Sequence, residues 1–502
     1  MRARNADERG NVLIISALLM VPLLIFVGFS VDVGSWYARA SRIQRAADAA
    51  ALAGVIWMPD FDQAEQVALE TARRNGFVDG VDDITITVSP DPSSDRRLRV
   101  AIEDARAETY FASIVTDSIV IGRRAIAEYV LPVPLGSPTN HFGTGDLVNR
   151  ITGGQNEYFW AAVNGYCTDK VDGDRVLSRY FGNKSPYACP GTTANAEYRA
   201  EGYTYYVDVP EGRSQAINLA IYDAPYFLTP PATSPDLALR NPGAIDTTFT
   251  LRGPDDTPYD DSNNPVVTAA TCGAGSQNPR TFASGDGSVF DYVFDPLNRT
   301  SAAYDRWTRF CTIPTTAPAG RYLLDVRTTA AQVNSSGSNG YALLARLGSG
   351  TFCDGRTDPS CPRIYGKDDM SVFARSSGAT GEFFLTEIDP IHAGKQMLVR
   401  LWDPGEGGNY IQILDPAGNV VPFTYSVDGS TFTTASSTQI DVTGSRFNGK
   451  SLELLVSLVG YAPPAANDWW KIRYNFTSGT VTDRTTWSVE IIGDPVHLVE
   501  ER

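Results

Sequence analysis

The chain has 502 residues, of which 42% are hydrophobic and 11% aromatic, so a wholly disordered stalk is excluded and the length calls for two or three domains. A formal net charge of −16 argues against a nucleic-acid surface and against a peripheral grip on anionic lipid. Membrane attachment therefore has to come from apolar side chains.

Residues 1–10 form a short leader carrying Arg2, Arg4, Asp7, Glu8 and Arg9. From Asn11 to Val31 no side chain is ionisable, and a helix rising ~1.5 Å per residue carries such a stretch across a ~30 Å hydrocarbon core. Asp32, Trp36, Tyr37, Arg39, Arg42 and Arg45 follow on the far side. Arginine on both flanks does not orient the helix. A short leader and a long body, which translocates largely regardless of charge, favour a cytoplasmic N-terminus and an extracytoplasmic bulk. The apolar run exceeds that of a cleaved secretory signal, and the small-x-small site Ala38-Arg39-Ala40 lies beyond Asp32 and two aromatic residues, so the segment is expected to be retained. Prepilin-type cleavage after Gly10 stays open. Pilins place a glutamate at the fifth position after such a cut, where this chain has Ile15, so polymerisation as a major pilin is not expected.

Between Ala38 and Leu52 there is neither Gly nor Pro, and alanine continues the helix beyond the membrane. Ala46, Ala47, Ala50, Ala51 and Gly54 leave a side-chain-poor face for close helix packing. That face packs either on the chain's own first domain, the favoured reading, or on a partner. Asp48 reads as a solvated or hydrogen-bonded residue.

Arg9-Gly10-Asn11, the apolar helix, Val31-Asp32-Val33-Gly34 and the run Gln44-Arg45-Ala46-Ala47-Asp48-Ala49-Ala50-Ala51-Leu52-Ala53-Gly54 together resemble the Tad-type (Flp) pilus-assembly family, in particular its TadG-like branch. Ile43 stands where that pattern has Leu. The resemblance implies a non-catalytic part of a Tad-type pilus or secretion apparatus, as a minor or tip-associated subunit or an assembly factor. Its partners would be other apparatus proteins, including pilin-like subunits.

Helical spacing continues over Asp60–Asn75 with Gly76 as the stop. Strands are expected at Ile84–Ser89 and Leu98–Ile102 around the turn Pro90–Asp95, then a short helix at Ala107–Val115 and a strand at Ser118–Tyr129. Residues 32–131 thus read as an extended helix plus α+β stalk module. Residues 132–138, with alternating prolines, read as a linker. Beyond them, short alternating strands predict two jelly-roll-like β-sandwiches, at 139–350 with insertions and at 351–502. The fold class is α+β followed by all-β.

The two sandwiches look like copies. Tyr203–Val209 and Ile217–Asp223 correspond to Gly381–Ile388 and Met397–Asp403, and Phe249–Pro254 to Ile411–Pro416. Gly320–Val326 pairs with Trp487–Ile492 as the closing strand. The outline faintly resembles the prepeptidase C-terminal sandwich of secreted bacterial enzymes.

All six cysteines, Cys167, Cys189, Cys272, Cys311, Cys353 and Cys361, lie beyond the apolar helix and read as disulfides. Six cysteines allow 15 connectivities, among which proximity favours 167–189, 272–311 and 353–361. No catalytic, cofactor or metal residues are assigned. His141, His392 and His497 are far apart, and no HExxH, GxSxG or Walker A pattern occurs. Asp428-Gly429-Ser430-Thr431-Phe432 lacks the last residue of a DxSxS metal motif. Asp255, Asp256, Asp260, Asp261, Asn263 and Asn264 lack EF-hand spacing and read as a solvated loop. Trp469 and Trp470 read as core, although exposed Trp would stack on sugars. The rival functions are a surface adhesin or carbohydrate-binding protein and, behind it, an anchored hydrolase.

Overall fold

The computed structural model describes residues 8–58, 60–92, 96–114, 116, 118–129, 132–143, 157–182, 193–223, 226–227, 245–255, 261–273, 276–283, 289–290, 307–328, 337–350, 352–376, 380–405, 408–464, 467–475, 481–493 and 496–499. The chain divides into two units.

The first unit is built on one helix, α1 (Glu8–Val55), whose 48 residues extend ~72 Å as the apolar span runs unbroken into the alanine-rich run. A second helix, α2 (Phe61–Arg74), starts where the Asp60 side chain accepts from Gln63 N at 3.2 Å and ends at Asn75 before Gly76, whose φ of 87° suits glycine. Three antiparallel strands follow, β1 (Ile84–Pro90), β2 (Arg97–Ala107) and β3 (Ile119–Tyr129). The expected helix at Ala107–Val115 is reduced to a single 3-10 turn, Ala112–Ile114, because β2 continues to Ala107. A fourth strand, Val496–Leu498, comes from the far end of the chain and pairs with β3 at the sheet edge.

Alternation along the strands puts Ile84, Ile86, Val88, Leu98, Val100 and Ile102 on one face, where they share a core with Ala46, Ala47, Ala50 and Ala51 of α1 and Ala64, Ala68 and Ala72 of α2. Those four α1 alanines are at most 1% exposed. The small-residue face is therefore filled by the chain's own helix and sheet. Gly54 is the tightest point: a Cβ there would lie 2.5 Å from Leu98 Cδ2 and 2.8 Å from the Ala64 carbonyl oxygen.

The second unit holds the β-strands expected of two sandwiches, and their pairing exposes the duplication. In the first copy Asp246–Arg252, Gly320–Thr328 and Tyr203–Val209 make a front sheet, and Trp307–Ile313, Ile217–Asp223, Ser338–Leu347 and Glu157–Asn164 a back sheet. In the second copy Thr380–Glu387, Trp469–Asn475 and Tyr410–Leu414 are in front, and Asp369–Ser376, Val481–Ile492, Gln396–Trp402 and Ser451–Ser457 behind. The faces meet through contacts such as Phe249 on Tyr341 at 5.1 Å and Phe159 on Phe383 at 5.7 Å.

Three expectations are corrected. Gly320–Thr328 lies between two front strands, so its counterpart is Trp469–Asn475; Val481–Ile492 lies in the back sheet and answers Ser338–Leu347. Both segments alternate, and alternation cannot say which layer a strand joins. Residue 350 is no break in the sheets: Glu157–Asn164 pairs with Asp369–Ser376, joining the back sheets edge to edge, and Arg363–Gly366 pairs with Tyr203–Val209 in front. The linker expected at 132–138 does stand at a boundary, since the second unit begins at Pro132, but it is packed into that unit: Leu135 is fully buried and bridges both Gly366 and Thr386. Leu135 N donates to Gly366 O and Gly136 N to Leu385 O, each at 3.0 Å, so the non-proline amides stitch the two front sheets together.

The contact at Gly54 yields a prediction opposite to helix propensity. Gly to Ala in an open helix gains about 1 kcal/mol, whereas the Leu98 and Ala64 contacts make Gly54→Ala an overpacking change costing roughly 1–3 kcal/mol. Thermal unfolding of the isolated first-unit transition should show a lower midpoint for G54A; a higher midpoint would show that the helices stand further apart.

Candidate functional site

The polar residues of the family-like N-terminal pattern converge where α1 leaves its apolar span. Asp32 is fully buried, and its carboxylate accepts from the backbone N–H groups of Tyr110 at 2.8 Å, of Phe111 at 2.9 Å and of Ala112. An ionised carboxylate only accepts, and burying it is costly unless several donors replace water. The loop after β2 supplies three in succession.

Further polar contacts carry the same alignment up the helix. Trp36 Nε1 donates to Glu108 O at 3.1 Å, Arg39 Nε to Asp104 Oδ2 at 2.8 Å, and Gln44 Nε2 to Arg124 O at 3.1 Å and to Asp48 Oδ1 at 2.7 Å. Asp48 thus serves as a hydrogen-bond partner within the helix. Gln44, Asp48, Arg124, Ala125, Ile126, Leu498 and Val499 line a shallow cleft of about 350 Å³ beside the C-terminal strand. Composition placed Asp32 merely among the polar residues flanking the span. What it holds lies 78 to 80 positions away, and only the fold brings that loop to it.

In the second unit burial pushes Glu387 up to about 7 against the pull of Arg363, with Asp468 reinforcing the rise. Arg363 holds both Glu387 oxygens at 3.1 Å and reaches Asp208 Oδ2 at 3.0 Å, tying a front strand of one copy to a front strand of the other. Fixed in this way, Glu387 is a cross-link between the copies. His141 is pushed down to about 4 by burial and packs on Phe352 at 4.6 Å, His392 is buried, and His497 lies 3.6 Å from Glu128 in the first unit. His141 and His392 belong to the second unit and His497 to the first.

Trp469 and Trp470 are 1% and 2% exposed: Trp470 belongs to the sandwich core, and Trp469, on the opposite face of its strand, packs edge-on against Phe384 at 6.2 Å. Asp428 and Gly429 take φ of 50° and 70°, as a two-residue hairpin turn requires, and Asp428 Oδ1 accepts from Ser451 N at 2.8 Å. In the acidic loop Asn264 is buried and donates to Gly253 O at 2.7 Å, while Asp256 and Asp260 lie outside the described residues. Among the described residues no three His, Cys, Asp or Glu side chains converge as a metal set.

Cys272 is bonded to Cys311 and Cys353 to Cys361, the pairings that proximity favours. Cys311 sits within a back-sheet strand, beside a register shift. Cys167 is also disulfide-bonded, and Cys189 lies outside the described residues.

Comparison with known proteins agrees with the N-terminal geometry. Residues 10–58 match the model of the Tad family, described as Flp pilus-assembly TadE/G-like. That domain comprises the apolar span, Asp32, the Gln44–Asp48 pair and the alanine face. No curated protein matches the chain. Among solved structures, the N-terminal CBM22-1-CBM22-2 tandem domain from Paenibacillus barcinonensis Xyn10C is aligned over 56% of this chain and 80% of its own, at 9% identity and a TM-score of 0.13, a likeness too slight to carry an argument.

Two outcomes follow from the site. Asp32→Ala strands one buried amide, that of Ala112, at about 1–3 kcal/mol, and leaves the part-buried amides of Tyr110 and Phe111 without their acceptor. It should lower the stability of the first unit by about 1–3 kcal/mol and open the loop at 108–114 to proteolysis, and protease resistance equal to wild type would contradict the clasp. Separately, the disulfide closing the longer loop should matter more. Separations of 39 and 8 residues correspond to about 4 and about 2.5 kcal/mol of chain entropy, so the Cys272/Cys311 pair changed to alanine should melt below the Cys353/Cys361 pair so changed.

Proposed function

We propose that the protein is a membrane-anchored, non-catalytic component of a Tad/Flp-type pilus or secretion apparatus, working through protein-protein contacts as a minor or tip-associated subunit or an assembly factor. The observation that carries this reading is the Tad domain itself, built as one helix that is apolar and exposed at one end and sheathed in its own α+β module at the other. Exposed Leu18, Leu19, Leu23, Leu24 and Phe26 suit a lipid surround, so α1 anchors the chain across the membrane. The disulfides of the second unit fit an oxidising compartment outside the cytoplasm.

Because the alanine face is already occupied, partners are met elsewhere: along the exposed apolar span within the membrane, and on the loops and sheet edges of the duplicated sandwich outside it. Buried Trp469 and Trp470 and the arginine-bound Glu387 support an interaction role over a sugar-binding or hydrolytic one.

Deletion of the coding sequence should abolish assembled surface pili, and affinity capture of the full-length chain from native membranes should recover other components of the same apparatus. Complementation with Glu387→Gln should restore piliation, since no proton transfer is asked of that residue. Normal piliation in the deletion strain, or failure of a folded E387Q chain to complement, would overturn this reading.

A further inference from the structure

The loop that Asp32 grips carries two large aromatic side chains with little protein around them. Tyr110 is 59% and Phe111 55% exposed, and Val120 at the start of β3 is 62% exposed. Phe111 nevertheless has a defined seat. Its ring lies on Gly28 of α1, where an added Cβ would be 2.8 Å from Phe111 Cγ. Gly28 is the one buried residue of the described stretch 15–31, whose other side chains face outward.

Gly28 lies four residues before Asp32, so ~6 Å back along the helix axis toward the middle of the apolar span. A ring in contact with Gly28 occupies the same medium as Gly28. We propose that the 108–114 loop enters the extracytoplasmic boundary of the bilayer, with Phe111 and Tyr110 as a second lipid contact beside the spanning helix. The proposal rests on the reading that α1 crosses the membrane.

The chemistry of the loop fits that medium. Irregular backbone is tolerated at membrane depth only where its polar groups are satisfied, and the amides of residues 110–112 are all taken by the Asp32 carboxylate. Ser113 Oγ donates to Tyr110 O at 3.1 Å, and Thr116 N to Ala112 O at 2.9 Å. Aromatic rings with a polar tip are favoured at the headgroup level, and Tyr110 Oη, which donates to Glu108 Oε2 at 3.0 Å, has that form. Asp32 thus does two things at once: it fixes the loop's height on the helix and makes its backbone compatible with the interface.

The test uses the full-length chain carrying one added cysteine, labelled with an environment-sensitive fluorophore and reconstituted into phosphatidylcholine vesicles. Phe111→Cys and, as an independent site, Tyr110→Cys should be quenched by nitroxides on the lipid acyl chains near the headgroup and shielded from aqueous iodide. Leu24→Cys reports the spanning helix, and Gln66→Cys on α2 reports water. Labels at 110 and 111 that are open to iodide like the label at 66 would overturn the proposal while leaving the spanning helix intact. Shielding from both quenchers would place a protein partner over the loop and would also overturn it. A label at 24 that behaves like the one at 66 would sink the membrane reading with it.

Discussion

A buried carboxylate without water has to be given donors by the chain, and Asp32 receives three consecutive backbone amides from a loop 78 to 80 residues away. That constraint fixes where β2 ends and how far the next connection can travel before β3 begins. It joins the helix to its module at the end nearest the apolar span, while Gly54 and the alanine face join them at the other. Between these points Arg39, Gln44 and Trp36 each meet a partner in the loop or strands in the order the helix presents them. The alanine-rich half of α1 is thereby held along its length, and its apolar half stays exposed.

The second unit solves a different problem, that of packing two copies of one strand pattern. Each copy has a front and a back sheet, and the copies are fused through antiparallel pairing of Glu157–Asn164 with Asp369–Ser376 in the back. In front the fusion is made by Leu135 between two strands and by Arg363 between Asp208 and Glu387. Pairing edge to edge removes two exposed strand edges that would otherwise invite association. The chain then returns to the first unit, where Val496–Leu498 covers one side of β3.

Local chemistry made much of this legible. The uncharged span, the alanine run, the Gly76 stop, the strands starting at Ile84 and Ile119 and the near-neighbour disulfides each depend on residues close in sequence, and each stands near where those residues put it. The copies were visible through matching runs such as Ile217–Asp223 and Met397–Asp403, but the layer of Val481–Ile492 was not, because alternation marks a strand and not its sheet. Pro132–Pro138 looked like a spacer since proline denies hydrogen bonds, yet the residues between the prolines supply the amides that bind it. Asp32 stood in plain view as one polar residue among several at the end of the span. Its role depends on a loop brought back by three strands, and no spacing rule reaches that far.

The first unit depends on the clasp being intact in the folded protein, and amide hydrogen exchange of the wild-type chain in a bilayer reads it at the atoms concerned. If the Asp32 carboxylate holds them, the amides of Tyr110, Phe111 and Ala112 exchange as slowly as those in the middle of β2, through unfolding of the whole first unit. Exchange of those three amides at the rate of an open loop, with β2 still protected, would contradict the account.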